Sequence, residues 1–242
     1  MTEHHFFITP EQVRDGVVEL RGDEAHHAGR VLRVREGELI TVADGTGRVV
    51  EAVVQRVGET VEAQVTSERT VALPPPNITL FQAVMKGDKM DTLIEKAVEV
   101  GVQRVVPFMA ERTIVRWDDS KARKATERWS AIAHSASKQC RAPLRSDVGQ
   151  VAQSTDDLKT TADLAIALHE GTQRRLRDVL PGAPPDEVAL VVGPEGGLST
   201  REAEGLTSRG FVPAALGPRI LRSETAGIVG AAIVLHIYGS LG

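Results

Sequence analysis

Apolar and polar residues alternate with two different periods along this chain, and the change falls at Pro74-Pro75-Pro76. Before the prolines, Val61, Ala63 and Val65 alternate with Glu62, Gln64 and Thr66, the period of two of a strand with one buried face. Asp44-Gly45-Thr46-Gly47 separates the apolar runs 39–43 and 49–54 and predicts a hairpin. One short helix is predicted over about 23–32, with Asp23 as its N-cap. Short strands with a single helix predict a small β-barrel module over residues 1–73.

After the prolines, a stiff spacer that neither a helix nor a central strand tolerates, strands and helices alternate. Continuous apolar runs at 78–84 and 188–192 read as strands buried on both faces of a parallel sheet. Further strands are predicted over 105–109, 164–168 and 212–216. Asp88 is placed to cap a helix whose apolar face is Met90, Leu93, Ile94, Ala97 and Val98, and Gly101 ends it. Other helices are predicted over 120–140, after Ser199, and over 224–238. Repeated βα units make residues 74–242 an α/β domain with a mostly parallel sheet. The last helix, with Ala226, Ile228, Val229, Ala231, Ala232, Ile233 and Val234, is apolar nearly all round. Such a helix must be buried on several sides, by the core or by a second copy of the chain.

Composition places this chain among soluble globular proteins: 41% hydrophobic and 26% charged residues over 242 positions exclude disorder and disulfide scaffolds. Cys140 stands alone, which points to a reducing compartment. The apolar run 228–238 is too short to span a bilayer, and the opening Met-Thr-Glu-His-His has no secretion-signal pattern. The expectation is a cytoplasmic protein without a membrane partner. A net charge of −4 and 3% aromatics read at first like a small-molecule enzyme rather than a nucleic-acid binder. The distribution changes that picture. Residues 1–73 hold 8 arginines and no lysine against 13 acidic groups, whereas 112–145 holds nine basic residues and three acidic ones. That basic stretch suits a surface that follows phosphates, or a solvated helix face, and Arg30, Arg33 and Arg35 add a smaller cluster.

Ligands of α/β sheets bind outside the carboxyl ends of the strands. Three glycine-containing loops stand there: 168–171 (Leu-His-Glu-Gly), 193–197 (Gly-Pro-Glu-Gly-Gly) and 216–225 (Leu-Gly-Pro-Arg-Ile-Leu-Arg-Ser-Glu-Thr). Ser199 and Glu202 form a capping box that starts the helix after the second. Their exposed backbone groups suit an adenine or ribose better than a metal, unless they are merely tight turns. The P-loop, G-x-G-x-x-G and G-x-S-x-G patterns are absent, no metal-ligand spacing is present, and His26-His27 reads as solvated surface.

The motifs Lys86-Gly87-Asp88-Lys89-Met90-Asp91, Glu95 through Val102, Gly193 through Gly197, and Leu216 through Ala226 resemble, in order and over nearly the whole chain, one bacterial family. It is that of the 16S ribosomal RNA uridine N3-methyltransferases, of the SPOUT class. His26-His27 through Val31-Leu32-Arg33 is similar to the PUA-like RNA-binding domain of that family. The resemblance implies an α/β knot, a deep trefoil and a rare exception to unknotted topology. It implies a homodimer through the knotted domain, S-adenosylmethionine as cofactor, and 16S ribosomal RNA in the 30S subunit as partner. Cofactor contacts would fall on Leu168, His169, Gly193, Glu195, Gly196, Gly197, Leu216, Gly217, Ile220 and Leu221. RNA contacts would fall on Arg30, Arg33, Arg35, Lys86, Arg112, Arg116, Arg141 and Arg145. Arg222, Arg141 and Glu195 are the catalytic candidates. Arg222 serves the uracil edge or a phosphate, or forms an ion pair with Glu224 or Glu195; Glu195 acts as base or orienting group, or only holds its loop. Lys138 stands where the family often has glutamate. Two other readings stay open: methylation of a ribose 2′-oxygen or a transfer RNA base, and a non-catalytic RNA-binding assembly factor.

Overall fold

A computed structural model describes residues 4–114 and 117–241, so Arg116 lies outside the described residues. The chain separates into two compact units. One runs through Ala72 and also takes in Ser137–Arg145; the other comprises Leu73–Ala136 and the chain from Ser146 onward. Sequence reasoning puts one break at 73/74, and the later excursion of 137–145 into the first unit leaves no local pattern that would announce it.

In the first unit, strands β1 (His4–Phe7), β2 (Val13–Arg14), β3 (Val17–Leu20), β4 (Leu39–Ala43), β5 (Arg48–Val57) and β6 (Val61–Thr70) form one sheet in the order β1-β4-β5-β6-β3-β2. Only the β1/β4 pair is parallel. Phe6, Leu20, Val42, Val50 and Val61 meet in one buried cluster, so strands far apart in the sheet share a core and the sheet is curled. Between β4 and β5, Asp44 Oδ1 accepts from the backbone N–H of Thr46 (2.8 Å) and from its hydroxyl (2.7 Å), which closes the expected hairpin turn. Helix α1 (Gly22–His26) continues as a π-helical turn, His27–Leu32. It starts one residue earlier than expected. Arg21 occupies the cap, and Asp23 lies in the first turn, where its charge faces the positive helix end.

The second unit holds β7 (Asn77–Ala83), β8 (Arg104–Phe108), β9 (Asp147–Val148), β10 (Leu164–Leu168), β11 (Glu187–Val192) and β12 (Val212–Ala214). They run in the order β12-β10-β11-β7-β8-β9, with every neighbouring pair parallel. Helices are α2 (Lys89–Val100), α3 (Asp119–Gln139, whose last turn belongs to the first unit), α4 (Leu176–Val179), α5 (Thr200–Ser208) and α6 (Ser223–Ile237). Asp88 occupies the cap position of α2 but does not cap with its side chain. Its backbone (φ −86°, ψ 7°) is not the extended form an N-cap needs, and its carboxylate lies 3.8 Å from Arg128. Gly101, at φ 103°, ends α2 as expected.

Phe81, Phe108, Ala189 and Val191 pack with Leu206 and Phe211 on one face of the sheet. On the other face α6 lies directly on the strands. A Cβ on Gly230 would stand 2.7 Å from Leu168 Cδ1, and one on Gly227 would stand 2.9 Å from Gln82 Oε1. Gly230, which reads in sequence as a break in an apolar run, is thus a seat for the strand beneath. The inner face of α6 is buried at Gly227, Gly230, Ala231, Val234 and Leu235. Its outer face is not: Ile228, Val229 and Ile233 are half-buried and Ile237 is 46% exposed. The single chain therefore encloses this apolar helix on one side only. No helix among the described residues is long and apolar enough to cross a membrane.

Candidate functional site

The loops leaving β10, β11 and β12 converge on one cavity of about 530 Å³, within the ~300–1,000 Å³ range of small-molecule sites. Parallel strands place their carboxyl ends together, which is why three segments distant in sequence meet here. Leu168, Leu198 and Leu221 supply apolar wall; His169, Glu170, Arg219 and Arg222 add polar groups.

Each loop is braced. His169 N–H donates to Ala214 O (2.9 Å), and its Nδ1 accepts from Gly171 N–H (2.9 Å), which leaves the ring proton on Nε2. In the second loop Gly197 donates to Pro194 O (2.8 Å) and turns with φ +69°, a conformation that favours glycine. Ser199 Oγ accepts from Glu202 N–H (3.2 Å), while the buried Glu202 carboxylate accepts from Ser199 N–H (2.8 Å) and Glu111 N–H (2.9 Å). The capping box thus fixes the end of this loop and also ties in the segment after β8. The third loop is pinned by the buried Ser223, whose hydroxyl donates to Gly193 O (2.5 Å) and accepts from Gln82 Nε2 (2.8 Å). Strand β7, the β11 loop and the start of α6 are joined by that chain of bonds.

Lys89 completes the frame. Its Nζ lies 2.8 Å from Glu195 Oε1 and 3.7 Å from Glu224 Oε1. Burial pushes the Glu195 carboxyl up, but the Lys89 hydrogen bond and a backbone hydrogen bond outweigh it and hold the group below the usual carboxylate range. Bonding to Glu195 correspondingly raises Lys89. These carboxylates pair with Lys89, and no ion pair of Arg222 occurs among the described residues; its exposed guanidinium stands at the cavity.

Nine of the ten expected cofactor residues line the cavity: Leu168, His169, Gly193, Glu195, Gly197, Leu216, Gly217, Ile220 and Leu221. Gly196 does not; Arg112 packs against it and donates to its carbonyl from Nη1 (2.9 Å). Arg112, expected at RNA, therefore also braces the Gly-rich loop. Arg141 belongs to the first unit and lines a smaller cavity there. Arg30, Arg33, Arg35 and Arg145 are exposed on that unit, and Lys86 is exposed after β7. Lys138 forms an ion pair with Glu24, whose carboxylate is largely buried. Sequence reasoning missed Lys89, Gln82, Ser223 and Arg219. Lys89, Ser223 and Arg219 lie inside motifs it singled out, but the partners of Lys89 and Ser223 are far away in sequence.

The fold and cavity define a ligand-binding α/β protein whose site lies at the carboxyl edge of a parallel sheet, joined to a strand-rich unit. Comparison with known proteins makes this specific. Residues 73–235 match the family model described as RNA methyltransferase domain, and residues 20–65 match RNA methyltransferase PUA domain. The chain is 32% identical to Ribosomal RNA small subunit methyltransferase E of Mycobacterium bovis, covering 98% of this chain and 91% of the relative. It is 31% identical to the Bacillus subtilis protein of the same name, covering 93% of each. Its structure superposes on that of Ribosomal RNA small subunit methyltransferase E from Neisseria gonorrhoeae bound to S-adenosyl methionine (TM-score 0.86, 31% identity, 98% of each chain). It also superposes on a methyltransferase from Legionella pneumophila in complex with the same cofactor (TM-score 0.85, 31% identity, 98% of each chain). The chain belongs to the ribosomal RNA small subunit methyltransferase E family.

Proposed function

We propose that this protein transfers a methyl group from S-adenosylmethionine to N3 of one uridine of 16S ribosomal RNA. It acts as a homodimer in the cytoplasm, on the assembled 30S subunit. The observation that carries the reading is the convergence of three braced loops on one nucleoside-sized cavity with Arg222 exposed at it. The residues fit the cofactor: apolar wall from Leu168, Leu198 and Leu221 suits a flat base, and backbone groups of the loops suit its polar edges. Among the described residues no group of His, Cys, Asp or Glu could hold a metal.

When bound, S-adenosylmethionine supplies an electrophilic methyl on a sulfonium. The protein must align N3 with that methyl, which is positioning work. N3 lies on the pairing edge of uracil, so the base is presented unpaired. As the N3 proton passes to solvent water, negative charge spreads to O2 and O4, where the Arg222 guanidinium is suited to receive it. Glu195 holds rather than abstracts: a carboxylate kept below its ordinary range by Lys89 is a poor base, and its bond to Lys89 fixes the loop. The half-exposed apolar face of α6 is the surface a second copy covers, and the C-terminal segment threads through a loop to make the knot.

Mass spectrometry of 16S ribosomal RNA from cells lacking the gene tests this directly. A missing 3-methyluridine restored by the wild-type gene is the expected result. A missing ribose methyl would move the reading to a different position on RNA, and unchanged RNA would leave a non-catalytic binding protein.

A further inference from the structure

The first unit contains a cavity of about 160 Å³ lined by His5, Thr41, Val49, Arg69, Val71, Arg141 and Pro143. Four neighbouring strands contribute one residue each: His5 from β1, Thr41 from β4, Val49 from β5 and Arg69 from β6. All four lie on the face of the curled sheet opposite its core, because side chains alternate and Phe6, Val42 and Val50 point inward. The 137–145 segment covers that face: Leu144 bridges Thr46, and Arg145 N–H donates to Gly45 O (3.0 Å).

On β6 the charge is sorted by the same alternation. Glu68 and Arg48 pair with each other (2.8 Å), on the side of β6 opposite Arg69, while Arg69 stands across from Val49. The nearest carboxylate on β6 is thereby turned away; Glu51, across from Thr41 on the same face of β5, accepts from Ser67 Oγ (2.8 Å), and no carboxylate occurs among the described lining residues. Arg141 enters from just beyond α3 with φ 56°, a left-handed conformation that usually selects glycine at a helix end. An arginine held there is spending backbone energy to place its side chain, which is characteristic of binding sites.

We propose that this cavity is a phosphate seat for the ribosomal RNA backbone, with Arg69 and Arg141 as its cationic walls and His5 and Thr41 as polar neighbours. It is below the ~300–1,000 Å³ typical of sites for whole small molecules, so it takes a single tetrahedral anion and not a nucleoside. A paired arginine site recognises phosphate by charge and by its forked donors. Such a contact sets the register of the RNA without reading its sequence. The inference rests on the proposed RNA substrate and adds a specific anchoring point outside the cofactor cavity.

The test uses the full-length protein and a 16S ribosomal RNA fragment carrying the target uridine. Arg69→Ala is expected to weaken RNA binding about tenfold and to lower the slope of log affinity against log salt by about 1. Arg69→Lys should regain part of both, and the Kd for S-adenosylmethionine should not change in either. Inorganic phosphate titrated into the wild-type protein should shift the nuclear magnetic resonance signals of Arg69 and His5 selectively. Wild-type affinity and salt slope in Arg69→Ala would overturn the proposal even if phosphate still shifts these signals, since the cavity would then hold a free anion and not RNA. Loss of S-adenosylmethionine binding along with RNA binding would also overturn it, by showing a general structural role for Arg69. Methyl transfer by the wild-type protein, measured in parallel, reports separately on the proposed activity.

Discussion

Lys89 Nζ sits 2.8 Å from Glu195 Oε1, joining the first turn of α2 to a loop 106 positions later in the chain. Glu224 lies 3.7 Å from the same ammonium, so one cation holds the β11 loop and the start of α6 together. Both groups of the main pair are one-third exposed, which limits the stability of the pair to about 0.5 kcal/mol. Its effect should show in the cavity instead. Lys89→Met is expected to weaken S-adenosylmethionine binding several-fold by calorimetry with little change in Tm, and Lys89→Arg should restore most of it.

The pair also sets a pH window. Glu195 is depressed, so its contribution is complete above the ordinary glutamate value near 4.3 and is lost as pH falls through its lower folded value. Lys89 is raised, so its contribution is complete below about 10.4 and is lost as pH rises through its higher folded value. Cofactor affinity should therefore be flat from about pH 5 to 10 as far as this pair is concerned. Titration calorimetry in buffers across that range, comparing wild type with Lys89→Met, checks it: a neutral-pH step present in the wild type and absent from the variant would contradict the assignment.

Arg222 is expected to act on the nucleotide, since the nearby Glu195 and Glu224 pair with Lys89. Arg222→Ala should lower methyl transfer by about 10²–10³. Binding of S-adenosylmethionine should stay within a few-fold of wild type. Single-turnover transfer to ribosomal RNA with a parallel binding measurement separates the two effects. Full activity in the variant would remove Arg222 from the reaction.

Gly230 and Leu168 couple the packing of α6 to the cavity wall. A methyl added at Gly230 meets Leu168 Cδ1 at 2.7 Å, and Leu168 lines the cavity. Gly230→Ala should cost about 1–3 kcal/mol of stability by overpacking. It should also weaken cofactor binding, because the cavity offers Leu168 its space for retreat. Denaturant unfolding and calorimetry on the same preparation test both, and Gly230→Ala combined with Leu168→Ala should recover stability.

Ser223 offers a different kind of test. Replacing it by alanine leaves the buried Gly193 O without its donor and leaves Gln82 Nε2 only its longer bond to Ala83 O (3.3 Å). A loss of about 1–3 kcal/mol follows for the stranded carbonyl, less whatever water recovers. Hydrogen exchange should show the largest increase in the β11 loop and the first turn of α6.

The extent to which the chain announced all this differs by the range of the interaction. The apolar run at Leu164–Leu168 is a strand with those same bounds, and the Ser199–Glu202 capping box is present, because both depend on residues within a few positions. The three ligand loops were legible because strand ends in a parallel sheet share an edge. Asp88 and Asp23 resembled caps but failed as such: one has the wrong backbone, and the other lies inside a helix that began earlier. Lys89 with Glu195, Gln82 with Ser223, and the 137–145 segment on the first unit depend on separations that no local period records.

Arg112 excepted, every residue lining the larger cavity lies between 168 and 226. During synthesis at about 5–20 residues per second, this stretch takes roughly 3–12 s to emerge, and before it does the cavity proposed for the methyl donor cannot exist. The strand-rich unit, closed by residue 145, is complete earlier. With the phosphate seat proposed above, a nascent chain would engage RNA while it is still incapable of modifying it.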